Sequence, residues 1–209
     1  MFAGDQSLFG DLRVRCPAAS KEPIISLPDA LGVARIAVVP LIMALILADG
    51  SFTYSWTLAA VLFIAAVLTD FLDGHLARRW NITTIMGGFI DTTADKLLVS
   101  GALVALLKVG RASAWVAFII IGREIIVTAV RGIVALRGTT VPPSIWGKSK
   151  AVLQFTAIAL AILRLPEPVG RLYLDQYVMW LAAAVTIASG YQYAKSFWAL
   201  ARSVDTRPA

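Results

Sequence analysis

Cysteine and histidine are almost missing from this chain: Cys16 and His75 are the single examples among 209 residues. One thiol cannot form an internal disulfide framework, and without Cys or His clusters no zinc site of the usual kind can be built. Any metal held here must sit among oxygen ligands. Charge is scarce too. Asp, Glu, Lys and Arg make up 15% of the residues, against about a quarter in a typical soluble domain. Apolar residues supply 58%, and the mean hydropathy is +0.76. This excludes a disordered chain, which needs low hydrophobicity, and leaves more apolar surface than a soluble core would take up. Nineteen Lys+Arg against thirteen Asp+Glu give a net charge of +6. In so apolar a chain the excess points to cytoplasmic loops and anionic lipid, and no nucleic-acid partner is expected.

A bilayer core needs about 20 mostly apolar residues per helix. Six stretches meet that length, at 29–47, 55–78, 87–106, 113–136, 144–163 and 174–200, with Pro40 as an expected kink in the first. Short connections join them. The predicted fold is therefore all-α, a polytopic membrane bundle of six transmembrane helices, with a membrane domain over 25–202 and no internal repeat. Residues 1–24 read as a cytoplasmic N-terminal segment without the apolar centre of a signal peptide. Within it, 7–14 forms either a short interfacial helix or part of a disordered tail. Residues 203–209 read as a cytoplasmic tail. Lys and Arg near the span ends concentrate on the side of Arg13, Arg15, Lys21, Arg78, Arg79, Arg137, Lys148, Lys150, Arg202 and Arg207, which places both termini inside.

Ionisable residues within spans are costly, so each marks a functional hypothesis. The densest group is TDFLDGHLARRWNITTIMGGFIDTTADK, residues 69–96. Asp70, Asp73, Gly74, Ala77 and Arg78 recur at the spacing of one helical face. Gly87, Asp91 and Asp95 follow at four-residue spacing on the next helix. The short connection predicts antiparallel neighbours whose carboxylates meet at the cytoplasmic end. One pair of carboxylates about 4 Å apart costs roughly 4 kcal/mol at an effective dielectric near 20. Either protons or cations must compensate. An all-oxygen set suits Mg²⁺ or Mn²⁺, and four formal charges match two divalent cations. Gly74, Ala77, Gly87 and Gly88 give clearance for a bulky ligand near the backbone, while Arg78 offers a bidentate phosphate donor. Small residues also permit tight helix packing, but carboxylates on two adjacent spans have no packing use. His75 reads as a surface or headgroup residue.

A second basic set lies on the same side: Arg123 and Arg131 on the fourth span, Lys148 and Lys150 opening the fifth, and Lys195 toward the end of the sixth. It suits the phosphate of an acceptor. For Arg123 two readings stand, a phosphate contact or structural neutralisation by its neighbour Glu124. Arg137, Arg202 and Arg207 read as positive-inside decoration.

The pattern D-x2-D-G-x2-A-R-x8-G-x3-D-x3-D, running from Asp70 to Asp95 without a gap, resembles the signature of the CDP-alcohol phosphotransferases. These membrane enzymes move a phosphatidyl or similar group from a CDP-linked donor to an alcohol. The resemblance implies six helices, usually a homodimer, and two divalent cations held by Asp70, Asp73, Asp91 and Asp95. It also implies Asp95 as general base, with Asp29, Asp70, Gly74, Ala77, Arg78, Thr84 and Gly87 around the CDP donor. Asp29 and Gly32 stand where the family often has Asn and Thr. The stretches LPDALGVARIAVVP, ADKLLV, GREIIVTAVR, WGKSKAVLQ and SGYQYAK resemble the branch that makes phosphatidylglycerophosphate. That branch implies CDP-diacylglycerol as donor and sn-glycerol 3-phosphate as acceptor, in a bacterial plasma membrane with the site facing the cytoplasm. Arg123, Arg131, Lys148, Lys150 and Lys195 would then hold the acceptor phosphate. A cardiolipin synthase or an inositol-phosphate-accepting relative is the alternative within the family. A cation transporter is the remote one, and it would want its carboxylates near the membrane midplane.

Overall fold

The structure, a computed structural model, describes residues 27–48, 53–80, 85–136, 145–164 and 172–205. Side chains at 27–29, 73–80, 85–86, 133–136, 145–149, 192–193 and 196–205 lie outside that description. Six helices follow in order: α1 (Leu27–Leu47), α2 (Ser55–Trp80), α3 (Ile85–Lys108), α4 (Ala114–Leu136), α5 (Ile145–Leu163) and α6 (Leu174–Asp205). All-α architecture and six helices agree with the sequence reading. The ends differ slightly: α6 continues to Asp205 rather than stopping near 200, so it enters the segment read as a tail. Pro28 falls in the first turn of α1, where a missing N–H leaves no bond unmade. Pro40 lies inside the same helix and removes the donor that the Ile36 carbonyl would otherwise meet.

Among the described residues, α1 (over Ala30–Leu47) and α2 (over Ser55–Leu72) are long and apolar enough to cross a membrane. The apolar run of α5, Lys150–Leu163, is shorter. In α3 and α4 the apolar run is interrupted by Asp91, Asp95 and Lys96, and by Arg123, Glu124 and Arg131.

The sequence reading made α2 and α3 direct neighbours. Instead α1 packs most extensively against α3 and next against α2, while α2 and α3 barely touch each other. Glycine explains the close approach of α1 and α3. A Cβ on Gly32 would stand 2.7 Å from Ile90 Cγ2, and one on Gly101 would stand 2.6 Å from Val39 Cγ1 and 3.1 Å from Met43 Sδ. Around this seam Ile42, Ile46, Phe63, Leu98, Leu103, Leu106, Ile120, Ile158 and Ile162 are buried. Phe63 meets Phe155 edge-on, with ring centroids 6.4 Å apart, and ties α2 to α5.

At the end of the bundle formed by the C-termini of α1, α3 and α5, polar groups close the turns. Gly110, at φ 71°, ends α3: its N–H donates to Leu107 O, and the Arg111 N–H donates to Leu106 O. This is the paired capping pattern that a left-handed glycine allows. The Arg111 guanidinium donates to Ile162 O at 2.8 Å and Ala161 O at 3.3 Å, at the C-terminus of α5. It also lies 3.4 Å over the Trp56 ring. The Trp56 ring is thus tied to a protein cation. Arg164 meets Asp175 at 3.4 Å and covers the Tyr173 ring. These contacts leave the opposite end for the acidic motif.

Because the Gly101 seam has no room for a side chain, Gly101→Val should lower stability by about 1–3 kcal/mol. Gly132→Ala on α4, where no described atom lies within 4 Å of the added Cβ, should be neutral or stabilising by up to about 1 kcal/mol. Thermal unfolding of the two variants in detergent, side by side, measures the contrast.

Candidate active site

Arg35 stands halfway along α1, in an otherwise apolar stretch, and is only 4% exposed. Its Nη1 donates to Asp70 Oδ1 on α2 in a short ion pair. The same nitrogen donates to Asp91 Oδ1 on α3 at 3.1 Å. Two acceptors on one nitrogen lie within about 6 Å of each other, so the carboxylates of two helices converge on a third. Asp91 is the open member, its side chain 51% exposed against 28% for Asp70. One turn along α3, Asp95 is partly buried. Between them Thr93 returns its hydroxyl to Phe89 O at 2.8 Å, and just after Asp95 Lys96 donates to Thr92 O at 3.0 Å. A Cβ on Gly88 would have no described atom within 4 Å, which leaves clearance beside the carboxylates.

The second cluster joins α4, α5 and α6. Glu124 Oε1 accepts from Arg123 Nη1 at 2.9 Å and from Lys150 Nζ in a short ion pair. Arg123 Nη2 donates to Ser189 Oγ on α6 at 2.8 Å. One turn deeper, Gln154 donates to Thr186 at 2.8 Å, and both are buried. The helix α3, which carries Asp91 and Asp95, packs against α4 and α5, which carry Glu124 and Lys150, so the acidic and basic clusters lie on neighbouring helices.

Of the sequence-predicted residues, the structure brings Asp70, Asp91 and Asp95 to one region, and it brings Arg123 together with Lys150. Glu124 neutralises Arg123 and also bonds Lys150, which fits the structural reading of Arg123. Arg131 and Lys195 are exposed on α4 and α6. Gly87 lies in the first turn of α3. The side chains of Asp29, Asp73, Arg78 and Lys148, the surroundings of Gly74 and Ala77, and all of Thr84 lie outside the described residues. Sequence reasoning missed Arg35, although an arginine inside an apolar span carries the same signal that singled out the aspartates. Ser189 was missed as well, and a lone serine on a helix offers no such signal.

A match to the family model for CDP-alcohol phosphatidyltransferase covers residues 25–188, which includes Arg35, the three described aspartates, Arg123, Glu124 and Lys150. The chain belongs to that family. A CDP-diacylglycerol–glycerol-3-phosphate 3-phosphatidyltransferase of Bacillus subtilis is 36% identical over 84% of this chain and 96% of its own length. One from Rickettsia typhi is 38% identical over 82% of this chain and 96% of its own. A probable phosphatidylglycerophosphate synthase of Mycobacterium tuberculosis is 35% identical over 84% and 83%.

The family is generally dependent on divalent cations. Among the described residues no group of three or more His, Cys, Asp or Glu side chains closes into a ligand cluster. The donor chemistry nevertheless fits a hard cation, since oxygens of Asp70 and Asp91 already converge on a positive charge.

Removing the shared acceptor of the basic cluster should destabilise the bundle. Glu124→Gln leaves Arg123 and Lys150, both largely buried, facing one another without a counter-charge, at a cost of at least about 2 kcal/mol. The double variant Glu124→Gln/Lys150→Met should recover part of that loss. Chemical or thermal unfolding in detergent reads both, and equal stability of all three proteins contradicts the account.

Proposed function

We propose that the chain transfers the phosphatidyl group of CDP-diacylglycerol to sn-glycerol 3-phosphate and releases CMP, the activity for which its bacterial relatives are named. In this reaction the acceptor's hydroxyl oxygen forms a bond to the phosphorus of the phosphatidyl group. The bond from that phosphorus to CMP breaks, and the hydroxyl proton must be taken up. The observation that carries the reading is the adjacency of the two clusters: a carboxylate set on α2 and α3 beside a buried basic pair, Arg123 and Lys150, on α4 and α5.

Asp70, Asp73, Asp91 and Asp95 are the residues that would hold two divalent cations, Mg²⁺ or Mn²⁺. Bound there, such ions would withdraw charge from the donor's diphosphate. Asp95, partly buried, would receive the hydroxyl proton of the acceptor. Asp29, Gly74, Ala77, Arg78, Thr84 and Gly87 would surround the CDP moiety. Arg123 and Lys150 would bind the acceptor's phosphate, with Arg131, Lys148 and Lys195 adding positive potential. A lipid acceptor such as phosphatidylglycerol has less use for a basic pair so deep in the helices, which favours a small phosphorylated acceptor. An inositol-phosphate acceptor would use the same pair.

In this reading all six helices span the bacterial plasma membrane as a multi-pass bundle, with the site facing the cytoplasm. Support comes from the outward-facing Val61, Phe71, Phe118, Ile125, Ile126, Leu181 and Ile187, all more than half exposed and suited to lipid. A homodimer completes the proposal.

Asp95→Asn should reduce turnover by about 10²–10⁴-fold, the usual effect of losing a general base, while the protein stays folded. Lys150→Ala should mainly raise KM for sn-glycerol 3-phosphate and leave KM for CDP-diacylglycerol nearly unchanged. Steady-state kinetics on detergent-purified protein separates these outcomes. Retention of more than about a tenth of the activity by Asp95→Asn, or equal KM changes for both substrates in Lys150→Ala, removes the assigned role.

A further inference from the structure

Arg35 belongs to no part of the eight-position motif, yet it contacts two of the motif's aspartates. Its side chain is 3% exposed, and both carboxylates reach the same Nη1 from different helices. A packing role explains neither the convergence nor the charge, since an aliphatic residue would fill an α1 position more cheaply. The guanidinium stays protonated at any accessible pH. Its charge cannot be relieved by losing a proton when another cation arrives. An arriving divalent ion would be drawn to the same oxygens, Asp70 Oδ1 and Asp91 Oδ1, and repelled by the guanidinium beside them. The repulsion of a double charge by a unit charge is twice that between two unit charges at the same range.

We propose that Arg35 is a built-in counter-cation: it holds Asp70 and Asp91 together while no divalent ion is bound, and it competes with that ion for the same two carboxylates. This rests on the reading of Asp70 and Asp91 as cation ligands. It gives the site an assembled form without metal, joined across α1, α2 and α3, and it weakens ion binding in exchange. Arg35 acts through the aspartates and is a positioning residue. Simple support of the ligands predicts the opposite sign, because losing a hydrogen-bond partner of a metal ligand typically weakens binding about 10–100-fold.

The test uses the full-length chain in detergent, stripped with EDTA and re-equilibrated, with Mn²⁺ as the probe. Mn²⁺ affinity is read from the electron paramagnetic resonance signal of the free ion, and stability from thermal unfolding with and without Mn²⁺. R35Q should unfold at lower temperature than the unmodified protein in EDTA, because two facing carboxylates lose their counter-charge. It should bind Mn²⁺ at least about tenfold more tightly, so that Mn²⁺ restores more of its stability. In R35Q/D91N the facing anion is gone, and stability in EDTA should recover. Unchanged or weaker Mn²⁺ binding by R35Q overturns the competition, and unchanged stability in EDTA overturns the counter-cation. Should R35Q not fold, D91N and R35Q/D91N carry the comparison: the double variant should bind Mn²⁺ more tightly, and equal affinities overturn the proposal. If the unmodified protein and every variant bind no Mn²⁺, the cation reading of the aspartates falls and this inference with it. If the unmodified protein binds and R35Q binds no better, the inference alone falls.

Discussion

Like charges gathered in a low-dielectric helix bundle must be compensated, and the way this chain compensates them organises the rest of its structure. Asp70 and Asp91 come from different helices and share one nitrogen of Arg35. That contact requires α1 to lie between α2 and α3, and the α1–α3 approach requires glycine at 32 and 101. The same logic holds in the second cluster, where Glu124 is the shared counter-charge for Arg123 and Lys150. Each cluster pairs an odd number of charges, so neither is neutral by itself. One is left anionic and the other cationic, and they lie side by side. An anionic set next to a cationic one would suit the proposed reaction, which joins a diphosphate donor to a phosphorylated alcohol.

The two ends of the bundle divide the work. At the end where α3 and α5 finish, Arg111 and Arg164 are engaged with helix carbonyls, an aspartate and aromatic rings. These contacts close turns and helix ends within the fold. At the other end the charges face one another across helices rather than closing turns. Since buried ion pairs contribute little net stability compared with apolar packing, their presence there calls for a functional reason. Membership of the CDP-alcohol phosphatidyltransferase family supplies one.

Much of this was legible in the residues themselves. Predominantly apolar stretches located all six helices, because so long an apolar run has few other uses. The spacing of Asp70, Asp73, Asp91 and Asp95 gathered four carboxylates, since helix geometry turns sequence spacing directly into faces; the three whose side chains are described lie in one region. What the spacing could not reveal was the helix in between. Contact between α1 and α3 depends on Gly32 and Gly101 meeting Ile90, Val39 and Met43, which is tertiary fit with no one-dimensional trace. Arg35 carried a signal that a motif-centred reading passed over, as its partners lie 35 and 56 residues away. Glu124 was visible beside Arg123, but its bond to Lys150 joins two helices and emerges only in the folded bundle.

The most direct measurement of the account is an acceptor panel with purified protein, labelled CDP-diacylglycerol and Mg²⁺. The panel contains sn-glycerol 3-phosphate, inositol phosphate, phosphatidylglycerol and serine, each repeated with EDTA. The account predicts phosphatidylglycerophosphate and CMP in equal amounts with sn-glycerol 3-phosphate, little product from the other three, and none under EDTA. Efficient transfer to phosphatidylglycerol, or full turnover in chelator, would contradict it.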